Sequence, residues 1–276
     1  MLDLFAIATN NADFINKTFN ETIANLSEPK AIEAKHFAQW VESKALISIN
    51  LRLFVITEIL NGIPYKNIHE WAQEQAVLSG RNKDEILRER LKGFYDKRMA
   101  FDQAFQKGEC FRYGALNAGG LGLSNYGLYC TVLTHNFHDT LNHSACFSGD
   151  SLEICFSKSS TFDPMVLIKS ISPFSHRHWL ATSQLIADID AAQQNDWSQL
   201  LISTDFKQYF EIIFIGEVTV NDLKCVRVST EEYQQKQELM FASYGKSLSE
   251  PERAEVQDFI QLLRAVKDGK IQLETL

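Results

Sequence analysis

The chain has 276 residues and a net charge of -8, with 45% hydrophobic and 22% charged residues. These values are ordinary for a soluble globular protein with one large domain, or with a domain and a smaller addition. The acidic balance argues against a general nucleic-acid binder, which needs a basic face for phosphates. Five cysteines without a CxxC motif favour reduced thiols in a cytosol over a disulfide framework.

Residues 1–105 are predicted to form a helical N-terminal segment, because their apolar residues recur at helical spacing. The predicted helices cover residues 31–40, 45–60, 67–78 and 84–99. Gly80 is expected to close the third helix. Asn82 followed by Glu85 is typical of a capping box that opens the fourth.

The sequence shows neither a leader nor a membrane span. Its first residues lack the basic region and the long apolar core of a secretory signal. The most apolar run, 45–60, contains Arg52 and Glu58 and is too short to cross a bilayer. We therefore expect a cytoplasmic protein, or one that is secreted without a cleavable signal into a host cytosol, and no membrane partner.

From residue 106 the pattern changes to short β-type runs, so we predict an α+β core over residues 106–230. The predicted strands are 111–116, 126–133, 144–148, 152–156, 212–215 and 223–228, the last two joined by a tight connection. The glycines at 119–122 match neither GxGxxG between a strand and a helix nor a phosphate loop, which excludes Rossmann and P-loop folds. Residues 231–276 are predicted to be helical, with Ser249 and Glu252 as a capping box.

Two charged side chains stand in apolar strands. Arg112 lies within the first predicted strand, and its guanidinium cannot become neutral by losing a proton. It therefore needs either an anion such as a dinucleotide pyrophosphate or a structural ion pair with a carboxylate. Glu211 stands at the start of the run 212–215, where it lies either in solvent or buried with a compensating group. Both alternatives stay open for each residue.

The run Glu211-Ile212-Ile213-Phe214, an irregular step at Gly216 and the later run 223–228 resemble the last strand pair of ADP-ribosyltransferases. In that family an Arg on the first core strand and a Ser/Thr-bearing strand precede the catalytic Glu, and Arg112 precedes Glu211 here. The segments RYGALN, NYGLYCTVL and ACFSGDS are also similar to uncharacterised bacterial proteins related to that family. The resemblance implies a core of two packed antiparallel sheets, with helical segments at both ends.

The resemblance further implies a mono-ADP-ribosyltransferase that moves ADP-ribose from NAD to a side chain of a target protein. Glu211 is then the catalytic carboxylate, and Arg112 binds the NAD phosphates. The further NAD-binding candidates are Tyr113, Gly114, Tyr126, Ser148, Ser159 and Ser160. The resemblance also implies that a hydroxyl side chain, from Ser148 or from residues 159–161, orients Glu211. Helical additions on a compact core are similar to those of bacterial effectors or toxins that inactivate a host enzyme, of which glutamate dehydrogenase is one example.

The resemblance is incomplete just before Glu211. The arginine-directed branch of the family carries a second Glu two places before the catalytic one, and that place holds Tyr209 here. Transfer to arginine is therefore in doubt. Gln208, Glu217 or a carboxylate of the partner are the candidates for replacing the missing Glu.

Two other classes of function compete with the transferase. His135, His138 and His143, with Asp139, could ligate a metal ion in a metal-dependent hydrolase, although their spacing matches neither HExxH nor a paired CxxC. A non-enzymatic binding module would have no affinity for NAD and would tolerate the loss of Glu211.

Overall fold

The computed structural model of the chain describes residues 1–140, 143–156, 161–189, 197–203, 208–245 and 247–276, with the backbone alone at 138–140. These residues form a mixed α+β protein, as the sequence predicts. The strands are β1 (Leu46–Leu51), β2 (Arg112–Asn117), β3 (Tyr129–Leu133), β4 (Ser144–Phe147), β5 (Ile171–Pro173), β6 (Glu211–Phe214), β7 (Leu223–Val228) and β8 (Gln272–Thr275).

The α-helices account for most of the remaining regular structure. They are α1 (Leu4–Asn10), α2 (Ala12–Ala24), α3 (Glu28–Lys44), α4 (Leu53–Leu60), α5 (Ile68–Ser79), α6 (Lys83–Leu91), α7 (Tyr95–Ala104), α8 (His135–Thr140), α9 (Ser151–Cys155), α10 (Leu167–Ser170), α11 (Arg177–Ile189), α12 (Ser198–Leu201), α13 (Thr230–Ala242) and α14 (Glu250–Lys267). Among the described helices, none combines the length and the apolar composition that a membrane span requires.

The chain divides into two compact units, each assembled from three segments. Unit 1 comprises Met1–Ala45, Lys66–Tyr113 and Leu141–Gly216. Unit 2 comprises Leu46–Tyr65, Gly114–Thr140 and Glu217–Leu276. The predicted segments 1–105, 106–230 and 231–276 are contiguous in sequence, whereas each unit draws residues from more than one of them.

Unit 1 contains three antiparallel strands in the order β5-β4-β6. Helices α1, α7 and α9 supply most of the apolar side chains that pack with β4 and β6. The largest fully buried members of this cluster are Phe101, Phe105, Phe111 and Phe147. A second cluster joins α2, α3 and α11 through Phe19, Ile23, Ala34 and Trp179. The first cluster lies beneath the strand that carries Glu211.

Unit 2 contains the strand order β2-β1-β3-β7-β8, with β2 contributing its residues from Gly114 onward, and the pairs are antiparallel except for the parallel pair of β7 and β8. Strand β7 has β3 on one edge and β8 on the other. The predicted tight pair between the run 212–215 and β7 is therefore wrong, because both edges of β7 are already hydrogen-bonded. Strand β8 also adds a strand to the C-terminal segment, which was predicted to be helical.

Two predicted elements have the wrong type. The run 45–60 forms strand β1 and then helix α4, separated by the extended Arg52. A short apolar run fits a buried strand as well as a helix, and the pairing of β1 with β2 and β3 decides between them. The run 152–156 was predicted as a strand, but its residues 152–155 belong to α9 and Phe156 is the C-cap, because the Asp150 carboxylate accepts hydrogen bonds from the Leu152 and Glu153 N–H groups.

The predicted helix 84–99 is broken into α6 and α7. Lys92 adopts a φ of 50°, and Gly93 follows it. A positive φ is rare for a residue with a side chain and cannot continue an α-helix. Asn82 caps α6 by accepting from the Asp84 N–H at 2.7 Å, in place of the reciprocal box predicted with Glu85. Two other local end signals are confirmed. Gly80 closes α5 in the left-handed region, and Ser249 with Glu252 forms the capping box of α14.

Candidate active site

Glu211 is the first residue of β6, which pairs with β4 in unit 1. Only 6% of its surface is exposed. Its Oε2 accepts a hydrogen bond of 3.0 Å from the backbone N–H of Ser151, the first residue of α9. The carboxyl group is thus buried at the end of a strand, and the solvent-exposed alternative for Glu211 is wrong.

The surroundings of Glu211 raise its pKa above the value of a carboxyl group in water. Burial raises the pKa of Glu211 to about 7, and the negative charge of Asp150 acts in the same direction. The positive charge of Arg98 and the hydrogen bonds from Ser151 oppose this rise without cancelling it. A carboxyl group with such a pKa exchanges its proton near neutral pH, as acid–base groups in active sites do.

Arg98 supplies the positive charge next to this carboxyl group. It lies on α7, and its guanidinium carbon is 3.7 Å from the centroid of the Tyr113 ring. Although burial favours the neutral form, the acidic groups of Tyr113, Asp102 and Glu211 raise the pKa of Arg98 overall. Among the described residues, none accepts a hydrogen bond from its buried Nη1. A buried donor of this kind indicates an acceptor that comes from water or from a ligand.

A chain of hydrogen bonds runs through Asp102, one helical turn after Arg98. Its Oδ2 lies 2.7 Å from Nε2 of His69, and its Oδ1 accepts a 2.8 Å hydrogen bond from the Tyr113 hydroxyl. Asp102 is 5% exposed, and burial raises the pKa of Tyr113. Gly108 permits this packing, since a Cβ there would lie 1.9 Å from the Asp102 carbonyl oxygen. We name Glu211, Arg98, Asp102, Tyr113 and Asp150 the Glu211 cluster.

Arg112 lies in the same unit but already has a carboxylate partner. Its Nη2 donates to both oxygens of Glu70, at 3.0 and 2.8 Å. Glu70 also accepts from the N–H of Asn67 in the capping box of α5, which fixes its position. The geometry is that of the structural ion pair, which was one of the two alternatives for Arg112. Binding of phosphates by Arg112 would have to displace Glu70.

The other predicted residues are spread over the chain. Ser148 is half-buried after β4, and its N–H donates to the Ser170 carbonyl oxygen at 2.9 Å. Ser159 and Ser160 lie outside the described residues. Gly114 belongs to unit 2, where a Cβ would meet the Ser48 carbonyl oxygen at 2.8 Å, so its absence of a side chain serves strand packing.

The second Glu of the arginine-directed branch is replaced by Tyr209 here, and the two candidates to take its role, Gln208 and Glu217, lie in different environments. The Tyr209 hydroxyl donates to Oδ2 of Asp150 at 2.8 Å, so this aromatic residue holds a member of the Glu211 cluster in place. The Gln208 N–H donates to Oγ of Ser203 at 3.0 Å. Glu217 is exposed and belongs to unit 2.

Tyr126 belongs to unit 2 and is 61% exposed, beside a cavity described below. The predicted metal ligands are partly described. His135 and His143 are exposed, and the side chain of His138 lies outside the described residues. Within the described part of the chain, no group of three or more His, Cys, Asp or Glu side chains is arranged to hold a metal ion.

Sequence reasoning missed Arg98, Asp102, His69 and Asp150. Arg98 fell within the predicted helix 84–99, and Asp102 lay after it in the predicted helical segment 1–105. Their partners are distant in sequence, and no local motif marks them. A signal was present only at Asp150, whose Gly-Asp-Ser turn is typical of a helix start.

Comparison of the sequence with protein-family models gives no match, and comparison with curated proteins gives none either. The candidate active site therefore rests on its own geometry and chemistry.

Proposed function

We propose that this protein is an NAD-dependent mono-ADP-ribosyltransferase, with Glu211 as its catalytic carboxylate. One observation carries the proposal. Glu211 is buried at the start of a strand with its pKa raised to about 7, beside an arginine whose buried Nη1 has no acceptor among the described residues. Ionisable groups with shifted pKa values, next to a charged donor that lacks an acceptor, are typical of active sites.

The proposed reaction is a glycosyl transfer from NAD to a nucleophilic side chain of a protein. Glu211, in its ionised form, stabilises the positive charge that develops on the ribose at C1′ when nicotinamide leaves, and accepts a hydrogen bond from the 2′-hydroxyl. The Ser151 N–H orients the carboxylate, a role that the resemblance gave to a serine side chain. Ser148, Ser159 and Ser160 stay candidates for further contacts with NAD.

We assign the principal phosphate contact to Arg98 in place of Arg112. A planar guanidinium suits a pyrophosphate, and the Nη1 donor of Arg98 still lacks an acceptor among the described residues. Arg112 is held by Glu70 through two hydrogen bonds. In this proposal Arg112 stabilises the fold near Tyr113, whose ring face contacts the Arg98 guanidinium in a cation–π interaction.

The acceptor is proposed to be a side chain of a target protein, as for an effector or toxin that inactivates a host enzyme. Tyr209 stands where the arginine-directed branch has its second Glu, and it is bonded to Asp150. We therefore propose that a side chain other than arginine receives the ADP-ribose. The core of two packed antiparallel sheets stays a prediction, and the parallel pair of β7 and β8 departs from it.

The test is NAD turnover by the purified chain with labelled NAD and a cell lysate as the source of acceptors. We expect a labelled protein band or free nicotinamide with the wild type and neither with Glu211→Gln. Glu153→Gln is the matched control, because Glu153 is exposed and lies outside the Glu211 cluster, and Glu217→Gln tests the other candidate carboxylate. Absence of label and of NAD binding in the wild type would overturn the proposal. Activity that survives Glu211→Gln but not Glu217→Gln would move the catalytic role to Glu217.

A further inference from the structure

Unit 2 contains a cavity that the proposed transferase reaction does not use. Its volume is about 690 Å³, which lies in the usual range for small-molecule sites. The walls come from the start of α4, the segment 124–129, and helices α13 and α14. The lining includes four acidic and three aromatic side chains, and these two kinds of group determine which ligands suit the cavity.

The acidic side chains outnumber the basic ones around this cavity. Its carboxylates are Glu232, Glu252, Glu255 and Asp258, and its one lining cation is Arg52. Lys236 adds a second cation, since its Nζ lies 3.0 Å from Glu232 and 2.8 Å from Glu255. Four carboxylates against two cations leave an excess of two negative charges. A bound cation would therefore find a complementary field.

Apolar and aromatic surface lies beside these carboxylates. Phe54 is 45% exposed, Tyr126 61% and Leu128 51%, and all three line the cavity. Aromatic rings attract ammonium groups through their faces, and exposed apolar side chains favour contact with methylene groups. The cavity thus offers two surfaces that suit a molecule with alternating ammonium groups and methylene chains.

An unsatisfied hydroxyl lies in the same wall. Tyr129 is 2% exposed, and its Oη has no hydrogen-bond partner among the described residues. Burial raises the pKa of its phenol, and the nearby carboxylates of Glu232 and Glu255 add to the rise. A buried hydroxyl without a partner indicates a ligand or water that meets it in the cavity.

We propose that this cavity binds a linear aliphatic polyamine. Its ammonium groups pair with Glu255 and Asp258, while its methylene groups lie against Phe54 and Tyr126. Asp258 accepts the 2.8 Å hydrogen bond from Thr57 through its Oδ1, and its Oδ2 accepts no hydrogen bond from any of the described residues. The inference is independent of NAD turnover, because all of its residues belong to unit 2 and none belongs to the Glu211 cluster.

Isothermal titration of the full chain with spermidine at low salt tests the proposal. We expect one saturable site, weaker binding as salt is added, and no binding of a neutral diol of equal length. The double variant Glu255→Gln with Asp258→Asn should bind spermidine at least about tenfold more weakly, because it removes the two pairing charges. Glu231→Gln is the matched control, since Glu231 is an exposed residue of α13 outside the lining.

Tyr126→Ala provides a second variant that keeps every charge. Its side chain is exposed, so the thermal melt should stay unchanged while spermidine binding weakens severalfold. Three results would overturn the proposal. They are the absence of saturable binding at millimolar spermidine, equal affinities in the wild type and the folded double variant, and equal binding of the diol. The second result would mean that spermidine binds diffusely to an acidic protein.

Discussion

The ionic groups of the two units are matched to their partners in different ways. In unit 2, Lys236 lies between Glu232 and Glu255, with its Nζ 3.0 and 2.8 Å from their carboxylate oxygens. In unit 1, the Glu211 cluster leaves a carboxyl group with a pKa near 7 and a buried arginine nitrogen without an acceptor among the described residues.

This difference distinguishes charged groups that stabilise the fold from ionisable groups that can take part in a reaction. Paired charges hold elements together, as Arg112 and Glu70 also do within unit 1. A buried carboxyl group whose proton is held near neutral pH costs free energy that a purely structural role does not require. If the incomplete pairing in unit 1 serves NAD chemistry, variants of the Glu211 cluster should lose turnover, while variants of the paired charges should lose stability alone.

The largest effect is expected from Glu211→Gln. The amide keeps the shape of the side chain but cannot carry the negative charge that stabilises the transition state. We expect NAD turnover to fall by at least about a hundredfold, measured as nicotinamide release under saturating NAD. Glu153→Gln, on the exposed side of α9, should retain turnover within about twofold. Equal losses in both variants would mean that the mutation damages the fold of α9 and not the chemistry.

The raised pKa of Glu211 predicts opposite pH trends for stability and activity. The folded pKa is about 7 against an ordinary 4.5, so the folded state keeps a proton that the unfolded state loses. The contribution is fully present below pH 4.5 and is lost as the pH rises to about 7, amounting to about 3 kcal/mol. Urea unfolding between pH 4.5 and 8 should show this fall in the wild type and not in Glu211→Gln.

Activity should move the other way over the same window, because the transfer needs the ionised carboxylate. We expect nicotinamide release to rise with a midpoint near pH 7. A turnover that is flat between pH 5.5 and 8 would contradict the assigned role of Glu211.

The two arginines of unit 1 should respond differently to the same change. Arg98→Met is expected to weaken NAD binding by about tenfold to a hundredfold, since it removes a charged donor for the phosphates. Arg112→Met should leave NAD affinity unchanged and lower the free energy of unfolding by about 1–2 kcal/mol, because Glu70 loses its partner but is half exposed and can be hydrated. Titration calorimetry and urea unfolding measure the two effects. The reverse pattern would restore Arg112 as the phosphate-binding residue.

The smallest effect is expected in unit 2. Lys236→Met keeps the aliphatic stem but leaves Glu232 and Glu255 without their shared cation. We expect the free energy of unfolding to fall by about 1 kcal/mol, with no change in NAD turnover. Lys267→Met, an exposed change near the end of α14, serves as the control and should shift stability by less than about 0.5 kcal/mol. A loss of turnover in Lys236→Met would contradict the assignment of the Lys236 ion pairs to stability alone.

Local signals in the sequence predicted the parts of the fold that depend on neighbouring residues. Gly80 and the Ser249–Glu252 box mark helix ends because their hydrogen bonds join residues within four places of each other. The strand at 46–51 was missed, because whether an apolar run of this length forms a strand or a helix is decided by the strands that pair with it. The helix at Ser151–Cys155 was missed because its apolar residues also fit a strand.

For the candidate site, the sequence by itself determined that Glu211 and Arg112 stand in apolar strands and must each have a compensating partner. Only the tertiary structure decided which partners they have. Arg112 meets Glu70, and Glu211 meets Ser151 and the charge of Arg98. Burial and long-range pairing, which set the pKa of a carboxyl group and the free donors of an arginine, depend on residues that folding brings together from distant parts of the chain.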